Sequence, residues 1–123
     1  ADGTLVVSVK GQSAPEGSHN NAIVAVNAKD GTTRWTYTLS VPTFNFMASA
    51  PGDGTVLFSG EDGTIYRLAL EDGKQLWKSV FREEDVGRTF STGHCIIGPN
   101  NLVYAVSNTL EGGSQVGVIR AVR

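Results

Sequence analysis

Leu68-Ala69-Leu70-Glu71-Asp72-Gly73-Lys74-Gln75-Leu76-Trp77 decides the fold, because the chain carries a second version of it upstream. A shift of 42 residues lays Ile23 on Ile65, Asp30 on Asp72, Gly31 on Gly73 and Trp35 on Trp77 without a gap. A self-match of this period signals an array of supersecondary units. Further upstream, Asp2-Gly3-Thr4-Leu5-Val6-Val7-Ser8 matches Asp53-Gly54-Thr55-Val56-Leu57-Phe58-Ser59 at a shift of 51, so the first copy holds nine extra residues within Gly11 to Asn20. A third copy follows: Gly98-Pro99-Asn100-Asn101 precedes Leu102 to Ser107, and Val118-Ile119-Arg120-Ala121-Val122 falls on Ile65-Tyr66-Arg67-Leu68-Ala69. In that register the next Asp-Gly comes just beyond Arg123.

Each copy divides into short segments rich in β-branched and aromatic residues, bounded by Gly, Asp, Asn or Pro. The middle copy reads as strands over Asn45 to Ala50, Thr55 to Ser59, Ile65 to Leu70 and Lys74 to Val80. The separators Gly52-Asp53-Gly54, Glu61-Asp62-Gly63 and Glu71-Asp72-Gly73 are hairpin signals, since Gly accepts positive φ and Asp bonds its own turn backbone. No segment carries a helical apolar period over ten or more residues. The expected class is all-β: a partial β-propeller of about two and a half four-stranded antiparallel blades. One domain spans 1–123, with a blade portion at 1–40, a full blade at 44–80 and a blade portion at 90–123. Trp35 and Trp77 suit docking between blades, because an indole can bridge neighbouring sheets.

The stretches Ala-Val-Asn-Ala-Lys-Asp-Gly-Thr-Thr-Arg-Trp at 25–35 and Leu-Ala-Leu-Glu-Asp-Gly-Lys-Gln-Leu-Trp at 68–77 resemble the pyrroloquinoline-quinone-type, or quinoprotein-like, β-propeller repeat. So does the preceding Asp-Gly-Thr-Val-Leu-Phe-Ser-Gly-Glu-Asp-Gly at 53–63. The resemblance is strongest in the middle copy and weakest in the third. It implies a ring closed by roughly six to eight blades, of which this chain supplies an arc. Such an arc exposes two sheet faces and several strand edges, so the expectation is a piece of a larger propeller, or one completed by self-association or a partner's blades.

Composition narrows the function classes. The 123 residues carry 10 Lys plus Arg against 12 Asp plus Glu, a net charge of -2, and no basic tract. That removes the electrostatic footprint of non-specific nucleic-acid binding. The longest apolar runs, such as Leu5 to Val7 and Cys95 to Ile97, fall far short of the roughly 20 residues of a membrane-spanning helix. The single cysteine excludes an internal disulfide and a cysteine-cluster metal site. Nothing in the chain addresses a compartment.

In such a ring the links between blades share a face with the connections between second and third strands. That face is expected to gather Gly11 to Asn20, Val41-Pro42-Thr43, Arg82 to Thr89 and Asn108 to Gln115, with the short Asp-Gly turns opposite. Long loops gathered on one face are where binding sites form, which makes His19, Asn20, Arg82, Glu83, Glu84, Asp85 and Arg88 the candidate partner-binding residues. His94 is a candidate to line the central channel. In the third copy His94 aligns with Phe46 and Cys95 with Met47, Cys95 being read as a small core hydrophobe and Met47 as a gap-filler. Neighbouring strand residues point to opposite faces, so His94 and Cys95 form no nucleophile-base pair. Asp30, Gly31, Trp35, Asp72, Gly73 and Trp77 are read as a structural signature.

In quinone enzymes of the resembled family the cofactor lies on the ring axis, often with calcium and a vicinal cysteine pair. This chain has no such pair, and no catalytic, cofactor-binding or metal-binding residue carries over by position. The reading is therefore a non-catalytic protein-interaction or scaffold module, partnered by protein or by further blades. The alternative is a fragment of a quinone-dependent alcohol or sugar dehydrogenase, which alone would bring in pyrroloquinoline quinone and calcium.

Overall fold

The computed structural model describes residues 3–9, 21–80, 89–91 and 94–123, and these form nine β-strands in three antiparallel sheets. The first sheet is β1 (Thr4–Val9), β2 (Asn21–Asn27) and β3 (Thr33–Leu39); the second is β4 (Thr55–Ser59), β5 (Ile65–Ala69) and β6 (Gln75–Ser79). The third is β7 (Ile96–Ile97), β8 (Val103–Glu111) and β9 (Ser114–Val122).

The sequence repeat reappears bond by bond. Asp30 Oδ1 accepts from the Thr32 N–H and hydroxyl, Asp53 Oδ1 from both groups of Thr55, and Asp72 Oδ1 from the Lys74 N–H. These side-chain turns leave the next residue at positive φ, 74° at Gly31 and 73° at Gly73, where a Cβ would be strained. The same residue slips in both copies: the ladder skips between Ala25 and Val26 in the first sheet and between Arg67 and Leu68 in the second. Gly3 and Gly54 likewise each offer their carbonyl across the turn, to Ala28 and Leu70.

The expected strand over Asn45 to Ala50 contracts to one bridge. Ser49 exchanges both backbone hydrogen bonds with Leu57, at 2.8 and 2.9 Å, and nothing else there pairs as a ladder. Asn45 sits at φ 49°, outside the extended region, and Pro51 has no N–H to give. The fourth position of the sheet is held instead by side chains: Phe46 and Ala48 pack on the core beside β4.

Two cores separate the three sheets. Ile23, Ala25, Trp35 and Leu39 of the first sheet meet Val56, Phe58, Tyr66 and Leu68 of the second. Leu57 and Ile65, on the opposite face of the second sheet, meet Cys95, Val103 and Ala105 of the third. β4 is thus buried on both faces, Phe58 stacking on Tyr66 at 5.1 Å on one side while Leu57 fills the other. Period-two alternation sends successive residues of one strand into two different cores.

That alternation corrects the register of the third copy. Leu68 faces the preceding sheet, and so does Val122, which packs with Cys95 and Val103. Arg120, on the same face as Val122, reaches back to the carbonyls of Gly63 and Val80. Arg120 therefore takes the place of Tyr66, not Arg67, and Ile119 that of Ile65: a one-residue slip that exchanges the two faces. The inner segment slips likewise. Cys95, buried, stands where Ala48 stands, and His94 stands where Met47 does. Met47 is no core gap-filler; it is 57% exposed.

Candidate functional site

Two further corrections assemble the site. The stretch from Asn108 to Gln115 is a regular hairpin, not a loop: β8 and β9 pair out to Glu111 and Ser114. Gly112 and Gly113 supply φ of 57° and 84°, the consecutive positive values a tight two-residue hairpin turn needs. The turn Glu61-Asp62-Gly63, joining β4 to β5, lies on the same end of the sheets as the blade links, not opposite them. There Val41, Pro42, Glu61, Asp62, Thr89, Phe90, Asn108, Thr109, Leu110 and Gln115 enclose a cleft of about 460 Å³.

Four chain segments hold this cleft in shape. The Glu61 N–H donates to the Pro42 carbonyl at 2.9 Å, and the Glu61 carbonyl accepts from the Ser91 N–H at 2.8 Å. The turn is thereby tied to the link on either side of its sheet. Asp62 is committed to the turn, Oδ1 accepting from the Thr64 N–H at 3.0 Å and Oδ2 from its hydroxyl at 2.9 Å. Phe90 and Asn108 exchange backbone hydrogen bonds, both 2.8 Å, which fixes the far wall. Gly63 packs so tightly on the third sheet that a Cβ there would lie 2.9 Å from Ser107 Oγ and Thr89 Cγ2. At the edge of the cleft the lining residue Phe90 meets Phe44, which lies outside it; the rings are 5.7 Å apart and both exposed.

Arg120, half-buried between the sheets, donates to the Gly63 and Val80 carbonyls, and burial holds its guanidinium below the usual arginine range. Glu61 Oε2 and the Thr109 hydroxyl are shut off from solvent and have no hydrogen-bond partner. Thr109 is 1% exposed. A buried acceptor left unpaired costs about 1 to 3 kcal/mol, more for a charged one.

His19, Asn20, Arg82, Glu83, Glu84, Asp85 and Arg88 lie outside the described residues. His94 is exposed beside the buried Cys95, whose thiol burial pushes up to about 12. A nucleophilic thiolate is thus disfavoured at Cys95. Among the described residues no three His, Cys, Asp or Glu side chains converge as a cation site. Among the described residues of the inner segments, Phe44, Asn45, Met47, Ala50, His94 and Ile96 are exposed, one carboxamide and one imidazole among apolar groups. Glu61 and Thr109 escape sequence reasoning because Glu61-Asp62-Gly63 reads as a plain turn and Thr109 as loop.

Trp35 and Trp77 hold the sheets together. Trp35, in the first sheet, donates its indole N–H to the Leu70 carbonyl of the second at 2.8 Å. Trp77 packs against the second core, half-buried.

A family model described as outer membrane protein assembly factor BamB matches residues 1–120. No curated protein matches the chain. Among solved structures, a europium-containing methanol dehydrogenase superimposes on 98% of this chain and 23% of its own, with a TM-score of 0.61 at 16% identity. BamB from Moraxella catarrhalis superimposes on 100% of this chain and 33% of its own, with a TM-score of 0.55 at 14% identity. The likeness is one of fold, and this chain spans a quarter to a third of those two propellers.

Proposed function

The chain belongs to the outer membrane protein assembly factor BamB family, and from that premise we propose that it is a non-catalytic interaction module, part of a larger propeller that docks onto other proteins of an assembly. One observation carries the reading. Ile23, Ile65 and Ile119 hold the same position in the three sheets; the first two are 0% exposed and the third is 73% exposed. Val106, Ile96 and Leu110 extend the exposed apolar face around Ile119. A contiguous apolar sheet face marks a surface that another body covers. Leu5, Val7 and Val9 present a similar face on the first sheet. Further blades of the same repeat cover both, and the loop face is left for a partner protein.

The competing reading, a piece of a quinone-dependent dehydrogenase, shares the fold and differs in chemistry. Fold alone does not choose between them. The test is to supply the full-length protein with pyrroloquinoline quinone and calcium and follow dye-linked alcohol and sugar oxidation. The expected result is no oxidation above a protein-free control, with a stable protein complex recovered from the source. Oxidation that is lost on chelation would overturn the scaffold reading.

A further inference from the structure

We propose that the loop-face cleft between the second and third sheets receives a lysine or arginine side chain of a protein partner, with a neighbouring apolar residue seated on Phe44 and Phe90. This rests on the reading of the chain as an interaction module and specifies the partner's chemistry.

Among the described residues, the cleft lining holds two buried polar atoms without partners. Glu61 Oε2 is buried and unpaired, and its backbone is clamped to Pro42 and Ser91, so the side chain starts from a fixed root. The Thr109 hydroxyl, on the opposite wall, is equally buried and equally unpaired. The carboxylate oxygen can only accept a hydrogen bond, and the hydroxyl can accept one as well as give one. Charge supplies the second requirement: among the described residues the lining carries two carboxylates, Glu61 and Asp62, and no cation. Arg120 stands behind the turn, bound to the Gly63 and Val80 carbonyls.

Shape supplies the third. Val41, Pro42 and Leu110 make apolar walls around the acceptors. A group that is cationic at its tip and aliphatic along its stem fits both features, as lysine and arginine side chains do. A bare metal ion fits poorly, since no third acidic or imidazole ligand approaches among the described residues. From the lining residue Phe90 the surface continues onto the exposed Phe44 ring, where the next residue of a peptide would lie. Aromatic anchors beside a desolvated charge are the usual composition of a binding hot spot.

The test is methyl NMR of the full-length protein titrated with acetyl-Phe-Arg-amide, acetyl-Phe-Lys-amide and acetyl-Phe-Glu-amide. The cationic peptides are expected to shift the Val41, Thr109 and Leu110 methyls, and the glutamate peptide to leave them in place. Glu61→Gln is expected to weaken the cationic peptides at least about tenfold while signals far from the cleft stay unchanged. Thr109→Val, which keeps the shape and removes the hydroxyl, is expected to weaken them less. Equal shifts with the glutamate peptide, no shifts, or shifts indifferent to Glu61→Gln would overturn the proposal. Chelation-sensitive oxidation would sink the scaffold reading without altering this titration. A silent titration beside a stable partner complex would sink only the cleft.

Discussion

The indole of Trp35 lies against Gly73 of the next sheet, so closely that a Cβ on Gly73 would sit 2.7 Å from Trp35 Cδ2. The same indole donates to the Leu70 carbonyl three residues earlier. The tryptophan of one sheet thus grips the Asp-Gly turn of the following one, and the two most regular features of the repeat are halves of a single joint. Gly73 serves twice, accepting φ of 73° and leaving room for the ring.

Gly73→Ala separates these duties when set beside Gly31→Ala. At Gly31, also at positive φ, an added Cβ meets nothing within 4 Å, so the cost is backbone strain of about 1 to 2 kcal/mol. At Gly73 overpacking against Trp35 adds about 1 to 3 kcal/mol. Urea denaturation of the two variants is expected to rank Gly73→Ala as the more damaging; equal losses would show that the joint yields freely.

Removing the other half is a cavity experiment. Trp35→Ala is expected to cost about 3 to 5 kcal/mol, and Trp35→Phe to recover most of it. The residue left after Trp35→Phe, about 1 kcal/mol, measures the bond to Leu70. Trp77→Ala is expected to match Trp35→Ala in the full-length protein and to fall below it in the 123-residue chain, where Trp77 is half-buried.

Acid should loosen the turns. Hydrogen bonds from Thr32 hold the Asp30 carboxyl below its ordinary value of 3.8, and those from Thr55, with Arg67 adding its charge, do the same for Asp53. A depressed carboxylate stabilises the fold above its unfolded pKa, and the contribution is lost as pH falls through the folded value. Stability is therefore expected to decline below about pH 4. Asp30→Asn and Asp53→Asn together should flatten that limb in urea melts taken from pH 5 to pH 2.

Alkali acts through Cys95 and Tyr66, each pushed up to about 12 by burial. Their neutral forms belong to the folded state, so unfolding gains from deprotonation once pH exceeds 9 for the thiol and 10 for the phenol. At pH 8 iodoacetamide should label Cys95 only when the chain unfolds. Labelling at the rate of a free thiol in the native protein would place the side chain outside the core.

How much the sequence disclosed follows from how local each feature is. The Asp-Gly turns and the tryptophans are visible because each turn is closed by a residue two positions on, as Asp30 is by Thr32. The third copy lacks both anchors, and without them the alignment slips by one and places Arg120 on the wrong face. Asn45 to Ala50 has a strand's composition, but the backbone at Asn45 and Pro51 withdraws it from the ladder. The cleft is the least legible feature. Glu61 becomes a candidate only when Pro42, Ser91 and Thr109, all distant in sequence, converge on it.

The proposed scaffold role requires the apolar face around Ile119 to be covered in the intact protein. The most direct measurement is the thiol-labelling rate of Ile119→Cys, in the Cys95→Ala background, for the full-length protein against the 123-residue chain. Stacking of a further blade is expected to slow labelling by at least about a hundredfold, because the site then opens only through local unfolding. Equal rates in the two would contradict it, leaving the third sheet's face open to water and the arc without a neighbour.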